Sequence, residues 1–90
     1  MTSIFKKINK TQLNEAREYI KTMANVEKTR YIIFSTKDSY SATLYDKNDK
    51  LRLCFYYRNS DKKAHIVYNE TYKLSKVLGL NVKRILNLLN

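Results

Sequence analysis

Ninety residues are enough for one hydrophobic core and too few for two, so the chain reads as a single domain, 1–90. Hydrophobic residues make up 43% of it, which excludes a disordered chain. Eighteen lysines and arginines against eight acids give a net charge of +10, which implies an anionic partner: nucleic acid first, an anionic membrane surface second. The abundance of Lys, Asn, Ile and Tyr also fits an AT-rich coding sequence, which raises the lysine content without any function.

In chain order, the N-terminal MTSIFKKINK has no apolar centre of a signal peptide, and no apolar run approaches a membrane span, so no membrane partner is expected. Leu13, Ala16, Ile20 and Met23 recur at helical spacing, and Thr11 can cap the helix they form. Phe5 and Ile8 extend the same stripe upstream. The helix either begins near Ser3 or is broken at Asn9–Thr11, and it ends near Asn25.

The middle of the chain reads as strands. Arg30–Thr36 is rich in β-branched and aromatic residues. Tyr40–Asp46 puts Tyr40, Ala42 and Leu44 on one face. Lys47–Lys50 makes a hairpin loop. Leu51–Arg58 alternates, with Leu51, Leu53, Phe55 and Tyr57 apolar and Arg52, Cys54, Tyr56 and Arg58 on the other side. Ala64–Tyr68 is a fourth strand or the start of a helix, and a poor helix start in His-Ile-Val-Tyr favours the strand.

The last twenty residues, Thr71–Asn90, carry the sharpest pattern. A helix is expected over Tyr72–Leu78. Gly79, the one glycine in the chain, suits a left-handed cap at its end, and Asn81 can cap a second helix over Val82–Leu89. Leu74, Ser75, Gly79, Leu80, Ile85 and Leu88 stand where a helix-turn-helix motif has its aliphatic, small and turn residues. The stretch therefore resembles a helix-turn-helix DNA-binding motif. The same residues also fit a plain helical hairpin in which Leu-Gly-Leu-Asn is only a turn. The resemblance implies that Asn81, Val82, Lys83, Arg84 and Asn87 face the major groove, with Lys73 and Lys76 on phosphates.

A second candidate site lies on the strands. Arg52, Tyr56 and Arg58 share one strand face, and Tyr45 or Tyr31 can join them from neighbours. Basic residues interleaved with aromatics suit RNA or single strands, whose bases stack on rings. The order helix, three strands, helix is also similar to the small proteins of the signal recognition particle Alu domain, a resemblance that implies RNA binding on the sheet.

Cys54 and His65 lack an orienting third group and a glycine-rich loop, so an enzyme is not expected, nor a cofactor or metal. Cys54 reads as a buried strand residue. A lone cysteine cannot make an internal disulfide, which points to a reducing, intracellular setting, cytoplasmic or nucleoid-associated. The expected fold is α+β: an N-terminal helix, a three- to four-stranded antiparallel sheet and a C-terminal helical hairpin. The leading functional expectation is a small homodimeric regulator binding duplex DNA through that hairpin. RNA or single-strand binding on the sheet is the alternative. A protein-binding inhibitor of the kind mobile elements encode is the third reading.

Overall fold

The computed structural model of the chain describes residues 1–70 and 79–90. Their elements run β1 (Thr2–Lys7), α1 (Lys10–Glu27), β2 (Tyr31–Ser35), β3 (Ser39–Tyr45), β4 (Leu51–Arg58), β5 (Lys63–Tyr68) and α2 (Gly79–Leu88). The fold is α+β, built on one antiparallel sheet of five strands.

The chain opens on a strand where helical spacing predicts the start of a helix. Thr2, Ile4 and Lys6 are half-buried and Ser3, Phe5 and Lys7 are exposed, the period-two pattern of a strand. Asn9 separates strand from helix. Its backbone is extended, with φ −90° and ψ 174°. Its side-chain oxygen accepts the Gln12 N–H at 2.8 Å, and the Gln12 side chain accepts the Asn9 N–H at 2.9 Å. This reciprocal capping box occupies two donors that the first helical turn would leave open. Thr11, the cap expected from sequence, lies inside α1. Asn9→Ala is expected to cost about 0.5–2 kcal/mol of stability, read from urea unfolding. An unchanged midpoint would mean that the cap contributes nothing.

Strand order in the sheet is β1-β5-β4-β3-β2. β1 and β2 are consecutive strands on opposite edges, so α1 crosses the whole sheet to connect them. It covers one face. That face carries Tyr40, Ala42 and Leu44 of β3, Leu53, Phe55 and Tyr57 of β4, and Ala64, Ile66 and Tyr68 of β5, all buried. From α1 come Ala16, Ile20, Met23 and Ala24, and from α2 Val82, Ile85 and Leu89. The two helices also touch each other. The Gln12 amide donates to the Leu89 carbonyl at 3.3 Å, and the Lys6 ammonium donates to the Asn90 side chain, so the C-terminus is tied to both α1 and β1.

The expectation of a C-terminal helical hairpin is overturned. Gly79 is the first residue of a helix, not the turn before one. It is not left-handed; among the described residues the left-handed positions are Lys28, Asp49 and Lys62, with φ of 55°, 63° and 56°. A helix-turn-helix needs its bend at Gly79–Asn81, and here those residues are helical backbone. The described C-terminal helix is a single one of 10 residues. The first helix of the expected hairpin, Tyr72–Leu78, lies outside the described residues. The apolar spacing of Val82, Ile85 and Leu89 is real, but it serves the core of the sheet. The order helix, three strands, helix also gives way, because a strand precedes α1 and four follow it. Among the described residues, no helix is long and apolar enough to cross a membrane.

Candidate functional site

The face of the sheet turned away from the helices is open, and register decides what lines it. Phe34 lies opposite Ser41, Ser41 opposite Tyr56, Tyr56 opposite His65 and His65 opposite Phe5. Directly opposed residues share a face. One row of side chains thus crosses all five strands, over about 19 Å at the usual strand spacing. It holds Phe34, Tyr56, His65 and Phe5. Phe5 is 68% exposed, Phe34 63% and Tyr56 40%, values unusual for rings inside a regular sheet.

The next row toward one end of the sheet is basic. Arg58 lies opposite Lys63 and Lys63 opposite Lys7. All three are exposed. The turn between β4 and β5 adds Lys62, whose carbonyl accepts from Ile8 N–H at 2.9 Å. On the other side of the aromatic row lie Ile32, Thr43, Cys54, Val67 and Ser3, a smaller and less polar strip.

Several of these side chains are held in place. The Phe5 and His65 rings stack with centroids 4.0 Å apart and planes within 10°. The His65 Nε2 is hydrogen-bonded to the Ser3 hydroxyl at 2.6 Å. These contacts hold the two rings face to face across β1 and β5, so that each covers one face of the other. The Thr43 hydroxyl reaches the Cys54 Sγ at 3.7 Å. Arg58 donates to Asp61 at 2.6 Å. That bond holds the Asp61 carboxyl below the usual carboxylate range and raises the Arg58 guanidinium. Arg30 lies over the Tyr45 ring at 3.7 Å and donates to Asp49 at 2.5 Å.

The residues singled out from sequence do not converge on one place. Tyr56 and Arg58 stand on the open face in adjacent rows. Arg52 does not join them. Tyr45 is paired with Leu51 while Leu44 is paired with Leu53, so the register shifts here and Arg52 is the extra residue of a bulge. It is fully buried, and its carbonyl accepts from Asn69 N–H at 3.1 Å. Tyr31 faces the helix side, opposite Leu44, whereas Tyr45 shares the open side. Cys54 is half-buried rather than buried.

The basic residues expected on a recognition helix lie in the other layer. Lys83, Arg84 and Asn87 are exposed on α2, and Asn81 falls within its backbone. Lys73 and Lys76 are outside the described residues. Arg84 is turned onto α1, its guanidinium 5.4 Å from the Tyr19 ring centroid. The groove there, about 630 Å³, is also lined by Glu15 and Glu18, which oppose a phosphate.

Sequence reading missed Phe5, Phe34, His65, Lys7 and Lys63. The first, third and fourth depend on recognising β1, or on knowing that it pairs with β5. The signal for β1 was the Asn-x-x-Gln capping box at Asn9–Gln12, which marks a helix start and leaves the preceding residues outside it. Comparison with family models, with curated proteins and with solved structures finds no match to this chain.

Proposed function

We propose that the chain binds single-stranded nucleic acid across the open face of its sheet. The observation that carries this reading is the pair of rows just described: Phe34, Tyr56, His65 and Phe5 beside Arg58, Lys63 and Lys7. Unstacked bases have faces that rings can cover, and this stacking is tolerant of sequence. The adjacent cations suit the phosphates of the same strand. The net charge of +10 supplies long-range attraction. A duplex keeps its bases stacked on one another and offers the rings little, so single strands are preferred. The bend that a duplex-reading motif needs at Gly79–Asn81 is helical backbone instead.

The test is an affinity comparison among single-stranded RNA, single-stranded DNA and duplex DNA at two salt concentrations. Single strands should bind more tightly than the duplex. The logarithm of the binding constant should fall with the logarithm of salt by about 0.7 for each phosphate contacted. The two single-strand arms show whether the 2′-hydroxyl contributes. A duplex preference would overturn the reading. An absence of binding at low salt would remove nucleic acid altogether and leave the protein-binding reading.

A further inference from the structure

We infer that the free edge of β2 is a docking edge for a second copy of this chain, joining two sheets through β2 against β2. The strand Tyr31–Ser35 is exposed at all five positions. Ile33 is 36% exposed even on the helix side, and Tyr31 44%. Between them and α1 runs a groove of about 340 Å³, which Arg17, Glu18, Lys21 and Asn25 also line. The helix layer thus stops short of the last strand.

The backbone of β2 is half used. Tyr45 N–H donates to the Arg30 carbonyl at 3.0 Å, and Thr36 N–H donates to the Ser39 carbonyl at 2.9 Å. Antiparallel pairing alternates, so residues 30, 32, 34 and 36 turn their peptide groups toward β3. Tyr31, Ile33 and Ser35 turn theirs outward. An outward row of this kind is a template for another strand.

Charge selects the occupant. A chain of net charge +10 repels its own copy over most of its surface. β2, with the sequence YIIFS, has no charged residue. The opposite edge, β1, has the sequence TSIFKK, and its two lysines are the usual means of blocking edge pairing. The sheet therefore has one protected edge and one apolar, uncharged edge. A two-fold axis at Ile33 sets Ile33 against Ile33 of the second copy, and Tyr31 against its Ser35. The contact is self-complementary, as a closed dimer requires. Ile33 lies on the helix side, so a change there tests the pairing without touching the rings of the open face.

Sedimentation equilibrium of the full chain at micromolar concentration tests it. The wild type should be a dimer, and Ile33→Pro and Ile33→Lys should be monomers with unchanged far-UV circular dichroism. Proline removes an outward N–H without touching the bonds to β3, and lysine places like charges against each other. Should either variant fail to fold, a third keeps the question answerable: Ile33→Cys in a Cys54→Ser background. Opposed residues of a bonded pair have Cα atoms about 5.5 Å apart, within disulfide reach, so oxidation should give a covalent dimer. A monomeric wild type overturns the inference. So does a dimer that survives both charge and proline at Ile33, or fails to cross-link. A dimer broken instead by Phe5→Ser with Tyr56→Ser places the contact on the open face and overturns it equally.

Discussion

Replacing Phe5 and Tyr56 together by alanine is expected to remove most single-strand affinity and leave the fold intact. Phe5 is 68% exposed and Tyr56 40%, and both lie on the face away from the core, so truncating them leaves the buried side of the sheet untouched. A base stacked on an aromatic side chain is worth about 1–3 kcal/mol, or roughly 5- to 150-fold for each ring lost. Phe5 also stacks on His65, so its removal alters two positions of the row. The control is Lys83→Ala with Arg84→Ala on α2. Those side chains lie in the helix layer, away from the open face, so the change should affect affinity only through the loss of general positive charge. Titration of a labelled single strand reads both. If the α2 pair abolishes binding and the Phe5/Tyr56 pair leaves it unchanged, the interface is in the helix layer and the sheet reading fails.

The largest loss of stability is expected from Phe55→Ala. Phe55 is at 0% exposure on the central strand of the sheet. It is flanked by Ala42 on β3 and Ile66 on β5, and its ring meets that of Tyr40 edge-on at 6.0 Å. Truncation leaves a cavity, and Ala42 is too small to fill it. Phe→Ala at such a site costs about 3–5 kcal/mol. For a domain of this size the total stability is of order 5–13 kcal/mol, so a quarter or more is lost. The melting temperature should fall by at least about 12 °C, read by circular dichroism. A shift of only a few degrees would mean that the core closes around the gap.

The strands from β2 to β5 were legible because their alternation is clean. In Leu51–Arg58, Leu53, Phe55 and Tyr57 are buried, as period two requires. Alternation failed at Arg52, where a bulge brings inside a residue that counting places outside. No residue pattern announced that register shift. β1 was read as helix because Phe5 and Ile8 are three apart, a spacing that helices and strand ends both allow. Pairing with a strand more than fifty residues later decided the matter, and single-sequence periodicity cannot see that. Gly79 misled in another way. Glycine suits a left-handed turn, but here Lys28, Asp49 and Lys62 take those positions and the glycine opens a helix. The open-face site was half legible. Tyr56 and Arg58 come from one strand and could be paired by counting, whereas Phe5, Phe34 and His65 are gathered by topology.

The placement of β1 at the far edge also has a consequence for the newborn chain. Thr2 lies opposite Tyr68, and among the described residues β5 is the one strand that β1 pairs with. The strand made first therefore waits for the strand made last. At about 5–20 residues per second of synthesis, that delay is roughly 3–13 s before β5 exists at all. The β2–β3, β3–β4 and β4–β5 hairpins need only short loops and can close early, whereas the β1–β5 pairing spans the largest sequence separation of any strand pair in the sheet. During the wait Ile4 and Phe5 travel unpaired, and Lys6 and Lys7 beside them are the charges that keep such a segment from joining the wrong strand.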